Sequence, residues 1–339
     1  MKLYGGIDLH SNNSYMVLID SEGTVVQRSR VRNEIGLVLD SLESYREQID
    51  GLVVESTYNW YWLVDGLKGA GYRVKLANPS AIQQYEGLKY SDDRSDARWL
   101  AEMLRLGIVP TGYIYPETQR PLRDLLRQRS FLVRQNTAQR LHTGNIVSRN
   151  QGRTNSWPQL RQLTAAEGQT LFPDPERRLA VESSLRVIEV LEQQIASIEK
   201  QIQSRLRAET GFQNLQTVYG IGPILAMTIW LETGDIGRFP QVGDYASYCR
   251  CVTSRRMSNA KKKGENNRHN GNRYLAWAYV EAATYAARYY RQAAGFVACK
   301  TAQVNRTLAI KALAHKLARA CYYVLRDGVV FEPTRLFGS

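Results

Sequence analysis

YGGIDLHSNNSYMVLIDSEGTVVQRSRV, residues 4–31, decides how the fold begins. The polar turns SNNS and SEG cut it into three short runs, YGGIDLH, YMVLID and TVVQRSRV, which read as three strands joined as hairpins. One residue stands apart. Asp8 lies inside the first apolar strand, where a charge is costly unless it binds something.

Helical periodicity follows in GLVLDSLESYREQI, residues 36–49, then an apolar strand in DGLVVES, residues 50–56. A second helix, NWYWLVDGLKGAG, and a short strand, YRVKLAN, complete the pattern. Three hairpin-like strands followed by alternating helices and strands predict an α/β unit with a mixed sheet. This is the element order of a ribonuclease-H-like fold, and order alone identifies no function.

After Pro121 the pattern turns helical, interrupted near QGRTNSWP and LFPDPERR. A long helix is expected from Glu176, with Val181, Ile188, Ile195 and Ile202 spaced by seven and Leu191 and Ile198 three residues after two of them. That is a heptad seam, and Ser184 and Arg205 break it at its ends, so it reads as a short coiled coil, within the chain or between chains. Near Phe212 a third region starts. There TVYGIGPILAMTIWLET resembles a helix-hairpin-helix, in which Gly220 and Gly222 let backbone N–H groups approach a phosphate. The alternative is a tight turn between two core helices. The expected division is therefore 1–120, an α/β domain; 121–210, a helical and coiled-coil region; and 211–339, a mostly helical C-terminal domain.

The charge balance points to a partner. Forty-five Lys and Arg against 32 Asp and Glu give a formal charge of +13, which draws a protein to a polyanion, nucleic acid first; a basic but ordinary enzyme is the alternative. The four cysteines fall in no metal-binding spacing and suggest no disulfide framework. The start MKLYGGIDLH has no apolar signal segment, and no run of about 18 apolar residues occurs. A soluble, cytoplasmic protein without a membrane partner is expected.

Three further acids join Asp8. Glu55 ends the run LVVE at the carboxyl end of a strand, where α/β sites form. Asp93 and Asp96, in SDDRSDARWLAEMLRLG, are three residues apart near a helix start and share one face. Such a set can cage two hard divalent cations that clamp a phosphodiester. Each acid also has a plainer reading. Asp8 is then a hairpin residue, Glu55 a capping acid, and Asp92, Asp93 and Asp96 favourable charges on a helix's first turn.

Far downstream, SRRMSNAKKKGENNRHNGNRYLAW, residues 254–277, holds Arg255, Arg256, Lys261, Lys262, Lys263, Arg268 and Arg273 against the single acid Glu265. A loop of this kind grips phosphates. On its own residues, Ser258 in its middle is a solvated serine.

The combination of GIDLH, VVEST, DDRSDA and FPQVGDYASYCRCVTSRRMSNAKKKGENNRHNGNRYLAWA resembles the insertion-sequence transposases of the IS110 family, most of all its IS1111 group. The resemblance spans roughly Gly5 to Leu106 and Asn214 to Ala287. It implies a RuvC-like, ribonuclease-H-like domain in which Asp8, Glu55, Asp93 and Asp96 are a DEDD set binding Mg2+ or Mn2+. Asp92 is the neighbour that competes with Asp93, and the three-residue step to Asp96 favours Asp93.

In this family a serine precedes a Gly-Asn pair and a following helix; counting back from Gly271 and Asn272 gives Ser258, with Ser254 as its rival. The family places Gly after that serine, whereas this chain has Asn259, a residue that tolerates left-handed backbone. The resemblance implies that Ser258 attacks the scissile phosphate to form a covalent phosphoserine, with the metal cage supplied by another subunit. It also implies DNA donor and target sites, a guide (bridge) RNA that selects them by pairing, and dimers assembling to a tetramer. Arg255, Arg256, Lys261, Lys262, Lys263, Arg268, Asn272 and Arg273, with Gly220 and Gly222, are then the nucleic-acid contacts. Two other readings remain: a metal-dependent junction resolvase that uses water, and a nucleic-acid-binding protein whose acids are structural.

Overall fold

The computed structural model describes residues 1–82, 92–152, 156–252 and 270–338, with the backbone of 255–258 and 261–265. Its contacts divide the chain into two compact units, residues 1–117 and 118–339.

The first unit opens with β1 (Leu3–Leu9), β2 (Asn13–Ile19) and β3 (Val25–Arg32). It continues through α1 (Ile35–Glu43), β4 (Ile49–Glu55), α2 (Tyr61–Gly69), β5 (Val74–Ala77), α3 (Asp93–Arg105) and the two-residue β6 (Thr111–Gly112). The sheet order is β3-β2-β1-β4-β5-β6. The first three strands are antiparallel neighbours, β4 and β5 join β1 in parallel, and β6 closes the edge antiparallel. The mixed sheet matches the sequence reading. The strand β6 does not figure in that reading, because two residues carry no period.

Helices cover both faces. Ile7, Leu9, Leu52 and Val54 pack under α1 and α2 through Val38, Leu42, Leu63 and Leu67. On the opposite face Tyr15, Val17 and Ile19 meet Ala97 and Ala101 of α3, and Val53 meets Leu100 and Met103. Alternation along β1 therefore points its even positions at α3. Gly6 is one of them. A Cβ there would lie 2.0 Å from the carbonyl oxygen of Ala97 and 2.5 Å from the amide nitrogen of Ala101, so α3 rests directly on the backbone of β1.

The second unit pairs two long helices, α4 (Arg120–Gln151) and α7 (Pro175–Leu206), with α5 (Trp157–Gln162) and α6 (Ala165–Leu171) between them in the chain. The ion pairs Arg129–Glu199 at 2.7 Å and Arg140–Glu192 at 2.6 Å show that α4 and α7 run in opposite directions. Val181, Leu185, Ile188 and Ile202 are buried, while Ile195 and Ile198 are half-buried. Ser184, the break in the heptad seam, is buried as well, its hydroxyl donating to the Ala180 carbonyl.

The remaining helices are α8 (Thr210–Leu215), α9 (Pro223–Thr233), α10 (Val242–Tyr248), α11 (Arg273–Tyr289), α12 (Arg291–Gln303), α13 (Arg306–Asp327) and α14 (Pro333–Phe337). They share one core with the start of α4 and the end of α7, through Leu126, Ile202 and Leu206. The expected boundary at 210 thus falls inside this unit. α11 packs against α13, and Ala278, Ala282 and Ala286 of the one and Ala309, Leu313 and Leu317 of the other are buried in the shared core. At the centre, Thr233 Oγ1 lies 2.9 Å from the Tyr245 hydroxyl, which lies 2.7 Å from that of Tyr279. Burial pushes both phenols well above their ordinary pKa, so the chain of hydroxyls is neutral.

Between α10 and α11 the basic segment, expected as a loop, contains a two-stranded hairpin: β7 (Arg255–Ser258) pairs antiparallel with β8 (Lys261–Glu265). Among the described residues no helix is long and apolar enough to cross a membrane.

Candidate metal centre and basic hairpin

Asp8 reaches the α3 face because it follows Gly6 by two along β1. The parallel pairing of Ile7 with Val54 brings the next residues, Asp8 and Glu55, to the same level on adjacent strands. Glu55 shares a side-chain hydrogen bond with Asp8. Gly6 lets α3 settle low on β1, and its first turn then carries Asp93 and Asp96 to the same end of the sheet. Sheet alternation, one glycine and one helix start thus assemble four carboxylates.

The structure adds a group that sequence reasoning missed. His10 follows Asp8 by two, just past the end of β1, and its Nε2 lies 3.1 Å from Asp8 Oδ2 and 3.2 Å from Asp93 Oδ1. Neither approach has hydrogen-bond geometry, and Nε2 is buried without a hydrogen-bond partner. Asp8, His10 and Asp93 each offer one ligand atom, and these atoms all lie within 4.8 Å of one another. The available signal was the two-residue spacing on a strand, which puts both side chains on one face.

The backbone of His10 is held from three sides. Its N–H donates to the Asn13 carbonyl at 3.0 Å, and its carbonyl accepts from Asn33 Nδ2 at 2.9 Å and Asn59 Nδ2 at 3.0 Å. Ser14 and Thr57 hydroxyls in turn donate to the side-chain oxygens of Asn33 and Asn59. Four segments of the sheet's carboxyl end are thereby locked around the site.

Electrostatics follows from this crowding. Asp8, 5 % exposed, has its pKa raised, first by burial and then by Asp96 and Asp93, with His10 opposing. Glu55 is raised by burial, then by Asp8 and Asp96. Carboxyls forced together out of water are harder to ionise, and a cation among them would oppose that.

Asp92 has a different position. It is the N-cap of α3, accepting from the Ser95 N–H at 2.8 Å, while Ser95 Oγ accepts from the Asp92 N–H at 2.9 Å. That capping box holds its carboxyl below the ordinary range and keeps it on the helix end. Asp93 is the one brought to Asp8 and His10.

In the second unit, the ends of the basic segment are fixed tightly. Arg250 adopts left-handed backbone, φ 54°, and its guanidinium donates to the carbonyls of Asn270 at 2.8 Å and Gly271 at 3.1 Å. Gly271 has φ +80°, and a Cβ on it would lie 2.6 Å from the Tyr248 carbonyl oxygen, which explains the glycine. Asn272 corrects an expectation. Rather than lying open to a phosphate it is buried, its Oδ1 capping α11 at Tyr274 and Leu275 and its Nδ2 donating to Glu232 at 2.8 Å.

Glu232 is wholly buried and binds Arg123, Arg127 and Asn272. Burial would raise its pKa, but the two arginines and the Asn272 amide overcome it and hold Glu232 low. One carboxylate thereby joins α4, α9 and the cap of α11.

Ser258 ends β7 and pairs with Lys261 across the hairpin; Arg255, Arg256, Lys262 and Lys263 belong to the same two strands. Ser254 and Arg268 lie outside the described residues. Arg273 begins α11 exposed, with Nη2 3.2 Å from the Tyr274 hydroxyl. Gly220, at φ +79°, packs against α11, where a Cβ would meet the Ala282 carbonyl oxygen at 2.1 Å. That is a packing reason for the residue. Gly222, the N-cap of α9, has open space around it.

Comparison with known proteins matches both regions. A family profile described as a transposase, of the DEDD IS110 type, covers residues 5–147. A second, the transposase IS116/IS110/IS902 family, covers residues 212–298. A Pseudomonas aeruginosa protein named "Probable family 20 transposase" is 27% identical over 230 residues, 66% of this chain and 67% of that one. The transposase for insertion sequence element IS1111A of Coxiella burnetii is 22% identical over 267 residues, 76% and 70% of the two chains.

Proposed function

The chain belongs to the IS116/IS110/IS902 family of transposases, and from that premise we propose that it is a divalent-metal-dependent, RNA-guided recombinase that moves an insertion sequence through a covalent phosphoserine at Ser258. The observation that carries the reading is the convergence of Asp8, Glu55, Asp93 and Asp96 at one end of the first unit's sheet. The antiparallel β3-β2-β1 followed by parallel β4 and β5 supports a ribonuclease-H-like, RuvC-like description of that unit.

The donor set fits a divalent cation. Carboxylates whose pKa is raised by burial and by one another, and an imidazole nitrogen that is buried without a hydrogen-bond partner, would both be relieved by a cation among them. Asp8, His10 and Asp93 would hold an ion, with Glu55 and Asp96, which interact with Asp8, beside it. When bound, ions of the Mg2+ or Mn2+ class polarise a phosphodiester and stabilise its leaving oxygen.

The chain's own residues do the rest. Asp8 and Glu55, side by side on adjacent strands and hydrogen-bonded to each other, would present their oxygens to the ion. Lys261 is the backbone partner of Ser258 across the hairpin, and a cationic segment of this composition would favour generating the alkoxide. The Ser258 Oγ–P bond forms, a P–O bond of the strand breaks, and the leaving hydroxyl takes a proton. Reversal by a different strand's hydroxyl rejoins the ends.

The net charge of +13 supports DNA and guide RNA as partners. Exposed Phe131 and Leu141 on α4 and Val187 and Val190 on α7 support a homo-oligomer, with dimers assembling to a tetramer whose sites draw the cage and the serine from different subunits.

The test is a denaturing gel of purified protein, guide RNA, Mg2+ and paired DNA sites. A protein–DNA adduct that disappears with Ser258→Ala supports the proposal. Cleavage that survives Ser258→Ala but not Asp93→Asn makes the chain a water-using nuclease. Binding without strand breakage under any condition leaves the acids structural.

A further inference from the structure

The basic hairpin is not the only array of cations beside chemistry. β3 carries Arg28, Arg30 and Arg32 at alternate positions, all exposed. Antiparallel pairing sets Arg30 opposite Tyr15 and Arg28 opposite Val17. Tyr15 and Val17 pack under α3, and residues directly opposite in such a pair project to one face. Arg28 and Arg30 therefore stand on the same face as the carboxylates.

There they line an open groove of about 370 Å3 together with Tyr15, Ser29, Arg94 and, at the start of α3, Asp92 and Asp93. Its acidic end is the metal centre, because Asp93 Oδ1 is the atom 3.2 Å from His10 Nε2. Arg30 Nε donates to Asn13 Oδ1 at 3.0 Å, which steadies the guanidinium and leaves its other N–H groups to face the groove. Same-face residues two apart on a strand are about 6.8 Å apart. That repeat is similar to the step between successive phosphates along a nucleic-acid strand.

We propose that this groove is the track of the DNA strand being cut: Arg28 and Arg30 each hold one backbone phosphate, Arg94 flanks the path, and the next phosphate enters the cage at Asp93. The proposal rests on the metal-dependent DNA-cleaving reading given above. Charges on an edge strand also discourage pairing with another sheet, a role that any exposed side chain of the same charge would fill without binding DNA. The track makes a stronger demand, namely a phosphate contact at each of two positions.

The experiment measures how binding of the full-length protein to a fluorescent bubble duplex, in EDTA, depends on salt, for the wild type, Arg28→Gln/Arg30→Gln and Arg28→Lys/Arg30→Lys. Loss of two phosphate contacts lowers the slope of log K against log salt by about two, and the lysine pair restores it. Thermal unfolding stays unchanged, since both side chains are exposed. With Mg2+ restored, the glutamine pair raises the DNA concentration needed for half-maximal cleavage at least tenfold. An unchanged DNA slope overturns the track, and so does a slope that falls for a single-stranded RNA probe but not for DNA. Asp93→Asn on the same duplex separates the two failures: if it stops cleavage while the arginine pair proves inert, the track falls and the cage stands; if it still cuts, the cage falls first.

Discussion

Nε2 of His10 stands 3.1 Å from Oδ2 of Asp8 without donating to it. Neighbouring ligands of a divalent ion are about 3 Å apart, so the two atoms would suit ligation of one ion without moving. A nitrogen ligand also favours Mn2+ over Mg2+. Pulsed EPR of Mn2+ bound to the full-length protein is expected to show 14N coupling that His10→Ala abolishes, with affinity lowered about tenfold or more. Mn2+ bound tightly with no nitrogen signal rules the imidazole out of the coordination sphere and leaves the carboxylates in it.

Asp92 and Asp93 are adjacent but have separable roles. Asp92→Ala removes a helix cap and is expected to lower the melting temperature while leaving Mn2+ affinity near that of the wild type. Asp93→Asn should leave the melting temperature nearly unchanged and weaken Mn2+ binding sharply. Equal losses of metal in both variants would remove the distinction.

Gly6→Ala tests whether α3 depends on the bare backbone beneath it. The added methyl must displace the Ala97 carbonyl and Ala101 amide, an overpacking that costs about 1–3 kcal/mol. Because α3 carries Asp93 and Asp96, cleavage and metal affinity should fall together. A variant that is destabilised yet binds Mn2+ as before would show the helix to be anchored elsewhere.

Glu232→Gln leaves Arg123 and Arg127 without their buried counter-charge and is expected to cost about 3 kcal/mol or more by urea unfolding. The wild type's contribution is complete above the ordinary glutamate value of 4.5 and is lost as pH falls through the lowered folded value. Stability of the wild type should therefore fall more steeply below pH 4.5 than that of the variant. Parallel acid profiles would contradict the assignment.

Much of this was legible in residue order. The turns SNNS and SEG, one acid in an apolar strand and another at a strand end predict the mixed sheet and the places of Asp8 and Glu55. Asp93 could be separated from Asp92 only by family spacing until the capping box with Ser95 was visible. His10 escaped notice although it follows Asp8 by two in the run read as the first strand, because only acids were weighed there. Asn272, before a helix, is an N-cap signal that the surrounding cations disguised as a phosphate contact. Glu232, an acid in a wholly apolar helix, is the same kind of anomaly as Asp8. Its partners, Arg123 and Arg127, are over a hundred residues away, a separation that no local pattern spans.

The clamp at the hairpin's root sets a limit on reach. The Cys251 N–H bonds the Ala246 carbonyl at 3.0 Å and the Asn272 N–H bonds the Tyr248 carbonyl at 2.6 Å, so both ends of the segment are moored to α10. Ser258 is seven residues from the nearer mooring, and fully extended chain of that length covers no more than about 25 Å. The length of chain thus sets the greatest distance of Ser258 from that mooring. On the phosphoserine chemistry proposed above, a scissile phosphate has to be delivered within that distance, so the placing of DNA rather than any search by the serine would decide where strands are cut.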